Sequence, residues 1–392
     1  MGNLSFKHVL ITISLIFLGI LTSLYKGYGD DLDSHALILS FIGVLENGIY
    51  SPSRFYGSPF GELFYGFIGY NFGSFLGSFL SYCFFLFSII LIFASYSKSK
   101  INQKDLFLFI LICISNPVLY FDNTNPSDYP LSLFLFSAGL FLFKKNDKFY
   151  SIIFFALTIA TRANFALLII VFLIYEMFKD KRDYKSSLLV LFYSIAISSL
   201  FYLPIFIQSK FSLSFISNGG GPDLTFKALT PRFLYKTYLS IGVFSSIFII
   251  YLFIANIKKI KKLLLNNKDL VILISLNLLV FYFIPTKTSI ISLVIILFYV
   301  FLFKLVNKKK NFIYPVIFFN LLFYIVSYQL FDFKYKYSGK CEPIEAVGAK
   351  FQFKIDKGYF LQRSDFMKNQ ITCVSKAFGD NSLKYINGSK IK

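Results

Sequence analysis

Residues 149–178, FYSIIFFALTIATRANFALLIIVFLIYEMF, decide how the chain is threaded. Two apolar runs, 149–161 and 164–178, flank Thr161-Arg162-Ala163-Asn164, and the segment reads either as one long helix or as a hairpin turning there. Loop charge arbitrates. Outward from this segment, apolar runs fall near 8–24, 75–96, 106–120, 129–143, 187–207, 239–255, 269–284, 289–306 and 312–330, each a candidate crossing of a bilayer that takes about 20 residues to span. Alternate connections, SKSKINQKD, KKNDK, KDKRDYK, NIKKIKKLLLNNKD and NKKK, are dense in Lys and Arg, whereas the intervening ones contain YGDDLDSH, DNTNPSDY and PTKTS. Only a hairpin over 149–178 puts every basic connection on one side. The positive-inside rule makes that side the cytoplasm, with the N-terminus inside and the C-terminus outside.

Composition agrees with a membrane setting. Of the 392 residues 56% are apolar and 15% charged, with a mean hydropathy of +0.64, against roughly 25% charged residues in soluble domains. A soluble fold is excluded. The formal charge of +20 resides mostly in the short basic connections, where it sets topology and neutralises anionic headgroups, so nucleic acid is not an expected partner. Trp is absent, leaving Tyr and Phe to build the interfacial belts. The first run is followed by acidic residues with no small-residue cleavage site, and reads as a retained helix. The expected architecture is an all-α polytopic membrane protein with about eleven transmembrane helices over residues 1–330. External loops are expected at 25–62 and 208–238, with a small external α/β or β domain at 331–392, where Lys350-Phe351-Gln352-Phe353-Lys354-Ile355 alternates as a strand does. Cys341 and Cys373 in that external piece read as a disulfide, and Cys83 and Cys113 in apolar spans as inert packing. No nucleotide-binding glycine motif, zinc spacing or serine elbow occurs.

The first external loop carries the most chemistry. Residues 29–61 read GDDLDSHALILSFIGVLENGIYSPSRFYGSPFG. Asp30 is placed to cap a helix from Asp31, with Leu32, Ala36, Leu39, Ile42 and Leu45 as an apolar face suited to the membrane interface. Gly48 ends that helix, and Ser51-Pro52, Gly57-Ser58-Pro59 and Gly61 are turn chemistry. Asp30 and Asp33 share a face, and Asp31 is within reach of His35. These acids either complement the dipole of a helix start or serve as reactive carboxylates. A divalent cation bridging Asp30, Asp31 and Asp33 is an alternative on ligand type alone.

The loop resembles that of the GT-C superfamily of polyprenyl-phosphate-sugar-dependent glycosyltransferases, which includes aminoarabinose transferases and protein O-mannosyltransferases. The shared order is an acidic pair, a helix, Gly48, then Tyr50, Pro52 and Gly57. The family aspartate falls on Asp33, followed here by Ser34 where Glu is usual, and Asp31 and Asp30 remain alternatives. Pro126-Ser127-Asp128-Tyr129-Pro130-Leu131 is similar to a Ser-Asp-x-Pro-Leu stretch of the family, and Ala160-Thr161-Arg162-Ala163-Asn164 to a Thr-Arg-Pro-Asn segment, with Ala163 replacing Pro. Ile284-Pro285-Thr286-Lys287-Thr288-Ser289 resembles the external turn that reaches the lipid phosphate.

The resemblance implies a GT-C fold and an aspartate general base. It also implies cations for the departing phosphate at Arg162, Lys287 and Arg232, and supporting roles for Asp128, Asp122, His35 and Arg54. The donor is then a sugar on a polyprenyl phosphate, the acceptor a surface glycan or lipid-linked molecule, and no cofactor is required. The setting is the cytoplasmic (inner) membrane, with the site facing outward. Bland readings stand beside these: Arg162 pairing with Asp128 or Asp122, Lys287 snorkelling, Arg232 and Arg54 as solvated loop charge, His35 as structural, and Asp122 or Asp128 capping the helix near Pro130. An O-antigen polymerase and a lipid-linked glycan transporter are the competing functions.

Overall fold

The computed structural model describes residues 6–28, 32–48, 50, 52–53, 57–97, 102–179, 184–208, 223–224, 226–285, 287–306, 310–338 and 342–362. Among the described residues helices dominate, and three of them are long and apolar enough to cross a membrane, or up to six if each sharply bent pair counts as one crossing. This is the architecture of a helical membrane protein.

Helix α1 (Phe6–Lys26) stops at Gly27 and α2 (Leu32–Asn47) at Gly48, both with positive φ, a backbone state that costs glycine little. Helix α3 (Pro59–Tyr96) kinks at Gly73 (φ 77°, ψ −174°). Its first half lies under α2, where a Cβ on Gly66 would strike Phe41 and one on Gly69 would sit 2.8 Å from Ile38. The expected crossing at 75–96 is therefore only the half beyond the kink. Gly61, expected in a turn, is helical, because Pro59 pre-sets the first turn and Glu62 N–H already bonds Ser58 O at 2.8 Å. On α2 the face turned to the core is Leu37, Ile38 and Ile42, so Ile42 leaves the expected outward face while Leu45 stays exposed.

The run 106–120 is not one helix. It breaks at Asn116 into α4 (Gln103–Ser115) and α5 (Pro117–Asn123), bent by 82°. Pro117 cannot continue the first helix, and the Asn116 side chain accepts the Leu119 N–H at 3.0 Å to start the second. Next come α6 (Asp128–Lys144), α7 (Lys148–Thr161) and α8 (Phe165–Lys179). Ser151 Oγ donates to Gly139 O, and Arg162 meets Asp128, so α7 runs back along α6. Phe136 packs on Phe165 and Phe143 on Phe172, so α8 runs in the direction of α6. The stretch 149–178 is thus the hairpin that loop charge demanded, turning at Arg162–Asn164.

Helix α9 (Tyr184–Gln208) lies beside α7 through Ser194 to Ile152 O and Tyr202 to Ile159 O. A second break, 87° at Gly242 (φ 86°), separates α10 (Phe226–Ile241) from α11 (Val243–Ala255), so part of the loop expected at 208–238 is helical. The two breaks meet at a buried polar hub. Asn116 donates to Ser240 O (2.8 Å) and the Tyr299 hydroxyl (2.9 Å), and Asn320 accepts from Ser245 (2.5 Å) and donates to Ile112 O (3.4 Å). Side chains thereby satisfy carbonyls released where helices stop in an apolar setting.

Helix α12 (Ile257–Asn266) is bent by 95° from α13 (Lys268–Phe283), which leads to a 3₁₀ turn (Thr288–Ile291), α14 (Ser292–Val306) and α15 (Ile313–Ile325). The crossing expected over 312–330 ends at Ile325. From Val326 the chain alternates apolar and polar residues, and it forms β2 (Val326–Ser338), antiparallel to β3 (Glu342–Lys357), whose other edge takes the two-residue β1 (Asp223–Leu224) in parallel. The alternating stretch 350–355 lies within β3. Cys83 and Cys113 are free thiols, Cys113 buried. Cys341, Cys373 and their expected disulfide lie outside the described residues.

The bundle has two distinct ends. At one, Lys144 Nζ lies 2.7 Å from Asp269, Lys304 Nζ donates to Asn267 at 2.5 Å, and both ammoniums sit over the Tyr96 ring. At the other gather the end of α1, residues 122–128, the 162–164 turn and residues 287–289. These are the two sets of connections that charge separates.

Candidate functional site

Four connections between helices build the second end. Arg162 ends α7 in extended geometry (φ −146°, ψ 109°), its N–H still bonded to Thr158 O at 2.8 Å. That turn swings its guanidinium onto Asp128, the first residue of α6, with Nη1 3.0 Å from Oδ2 and only 5% and 1% of the two side chains exposed. The guanidinium also stacks 3.6 Å above the Tyr129 ring. Of the readings left open, the structure has Arg162 paired with Asp128. Asp122 instead accepts a hydrogen bond from Thr288 Oγ1. Neither acid caps the helix near Pro130: α6 starts at Asp128 itself, with Ser127 before it.

Lys287, extended at the entry to the 3₁₀ turn, reaches Asp33 with Nζ 2.6 Å from Oδ2. The two residues are 254 positions apart and partly open to solvent, 35% and 28% exposed. Tyr129 connects the two ion pairs, lying within electrostatic range of Arg162, Lys287, Asp33 and Asp128 alike. Arg232 is buried and donates through Nε to Pro285 O at 2.9 Å, so it braces the strand of chain that carries Lys287. His35 lies two residues past Asp33, on the other side of α2, edge-on to Tyr28 at 5.5 Å; burial pushes its imidazole down to about 4 and the Tyr28 hydroxyl up to about 12. It does not join the ion pairs. Asp30, Asp31 and Arg54 lie outside the described residues. Among the described residues no three His, Cys, Asp or Glu side chains converge as a metal would need.

Sequence reasoning missed Glu62 and Lys26, and with them how the first loop is held together. Glu62 is buried and accepts from the Tyr50 hydroxyl, from Ser53 N (2.8 Å) and Oγ (2.5 Å), and from Ser58 N (3.1 Å). That carboxylate organises the Tyr50, Pro52, Gly57 segment. Gly57 (φ 65°) must lack a side chain there, since a Cβ would strike Ile205 and lie 3.2 Å from the Tyr50 hydroxyl. Burial and the Glu62 charge push the Tyr50 hydroxyl well above its usual range. Ser58 Oγ then bonds Thr161 O at 2.6 Å, tying the first loop to the hairpin turn. Finally Lys26 donates to Phe121 O (2.6 Å), Thr124 Oγ1 (2.8 Å) and Asn125 Oδ1 (2.9 Å), closing the 121–125 turn. The available signal was a lone Lys and a lone Glu at the edges of apolar runs, where a charge must be paired or bonded.

Beneath Arg162 a cavity of about 10 Å³, the room of one water, is lined by Tyr129, Asn164, Asn277 and Ser289, with Asn277 Oδ1 unpartnered among the described residues. The site thus offers a partly exposed carboxylate, a neighbouring ammonium that is also partly exposed, and a buried Arg–Asp pair that joins both segments. The chain matches no family model, no curated protein and no solved structure.

Proposed function

We propose that the protein is a membrane glycosyltransferase of the GT-C type, moving a sugar from a polyprenyl phosphate to a hydroxyl of a glycan or lipid-linked acceptor on the non-cytoplasmic side. The observation that carries the reading is the Asp33–Lys287 contact, which joins the acidic first loop to a cationic turn between α13 and α14. In the proposed reaction the donor phosphate takes Asp33's place on Lys287. The released carboxylate accepts the acceptor's hydroxyl proton as its oxygen attacks the anomeric carbon. The bond from that carbon to the phosphate oxygen breaks, and its electron pair leaves with the phosphate, where Lys287 stabilises the growing charge. Arg162 and Asp128 act in this scheme as a positioning pair for Tyr129 and the turn. The donor's own lipid supplies activation and anchoring, so the reaction needs no cofactor. About eleven crossings, a cytoplasmic N-terminus, an outward site and a small external C-terminal domain over 331–392 belong to the same proposal.

A transporter of lipid-linked glycans is the second reading, favoured by the helix breaks at Asn116 and Gly242, a feature of alternating-access folds. Proteoliposomes given a polyprenyl-phosphate monosaccharide and an acceptor separate the readings. Transfer of one sugar supports the transferase, chain growth a polymerase, and movement without bond change the transporter.

A further inference from the structure

We propose that α12 lies in the plane of the membrane and binds the headgroups of anionic phospholipids through four lysines. The proposal is independent of any reaction at Asp33. Helix α13 runs from the Lys144–Asp269 end of the bundle toward Lys287, so the 95° bend before it lays α12 across that first end. Along α12, Ile257, Ile260, Leu263 and Leu264 fall on one arc, and Lys258, Lys259, Lys261 and Lys262 on the other, which also carries the exposed Leu265. Ile260 and Leu263 pack partly against the core, whereas Ile257 and Leu264 are 68% and 41% exposed. The four lysines are exposed, and among the described residues none has an ion-pair partner. Two acids at this end, Asp269 and Glu176, are held by Lys144 and Lys179.

An exposed apolar arc beside an unneutralised basic arc needs hydrocarbon and negative charge within one helix diameter of each other. A leaflet of anionic lipid supplies both, with the lysine stems lying along the apolar boundary and the ammoniums among phosphates. A nucleic acid or acidic peptide would satisfy the lysines alone and leave Ile257 and Leu264 in water.

The absence of native Trp makes Leu264→Trp a unique reporter in the full chain. In nanodiscs containing anionic lipid, its emission is expected to shift to the blue, resist acrylamide and be quenched by lipids brominated near the headgroup. Lys→Gln changes at 258, 259, 261 and 262 are expected to shift the docked-to-undocked ratio about fivefold each, the factor that about 1 kcal/mol per basic residue converts to. Raised salt should mimic them. Equal docking in purely zwitterionic discs, untouched by the quadruple Gln variant, would overturn the headgroup claim. Acrylamide access in both discs would overturn the in-plane claim, and protection without bromolipid quenching would put a protein on the face instead.

Discussion

Lys287 Nζ lies 2.6 Å from Asp33 Oδ2, closing a contact between the end of the first loop's acidic segment and a turn 254 residues later. Because both side chains are about one-third exposed, the pair contributes little to stability, under about 1 kcal/mol. Lys287→Met is therefore expected to leave thermal unfolding in detergent almost unchanged while cutting sugar transfer strongly, and Lys287→Arg to retain part of the transfer. A large fall in melting temperature with Lys287→Met would make the pair structural.

The Arg162–Asp128 pair behaves oppositely, since it is nearly sealed from solvent. Removing one partner leaves an uncompensated buried charge, at a cost of roughly 3–5 kcal/mol. Asp128→Asn and Arg162→Met should each lower the unfolding midpoint markedly, and the double variant should be less damaged than the sum of the two. Strict additivity would contradict the pairing.

Glu62 gathers the Tyr50–Ser58 segment by accepting several hydrogen bonds. Glu62→Ala strands those donors, and Gly57→Ala adds a Cβ at positive φ against Ile205. Both changes are expected to cost about 1–3 kcal/mol and to open residues 50–58 to limited proteolysis. Wild-type protease resistance in both would show that Glu62 does not order the loop.

His35 makes stability pH-dependent. Its folded-state value is about 4 against an ordinary 6.5, so between those values the unfolded chain binds the extra proton and acidification favours unfolding. The contribution is flat above pH 6.5 and falls by roughly 3 kcal/mol on going down to pH 4. His35→Asn should remove that part of the acid sensitivity, as read by thermal unfolding across this range. An unchanged pH profile would mean that His35 binds its proton equally well in the folded and the unfolded chain.

Much of the frame was legible because charge and period are local. The lysine-rich connections alone required a hairpin at Arg162, and the helix running from Leu32 to a glycine stop at Gly48 is written in neighbouring residues. The breaks were harder to see. Asn116-Pro117 and Gly242 sit inside apolar runs whose hydropathy is continuous, so a hydropathy reading runs across them, although Pro117 stops α4 and contacts among Asn116, Tyr299 and Asn320 hold the bend. The strand at Val326 follows α15 with no turn residue between them, so the switch to alternation at Ser327 and Gln329 is the one local mark of where the helix ends. Contacts such as Asp33–Lys287 and Ser58–Thr161 join distant positions, and no local pattern encodes them.

The central claim is that Asp33 is the proton acceptor in sugar transfer. Its most direct test is the rate of single-sugar transfer from a polyprenyl-phosphate donor in proteoliposomes, wild type against Asp33→Asn, at matched folded protein. The predicted result is a loss of roughly 10²–10⁴-fold, the usual worth of a positioned general base. Transfer at the wild-type rate by Asp33→Asn would contradict the claim.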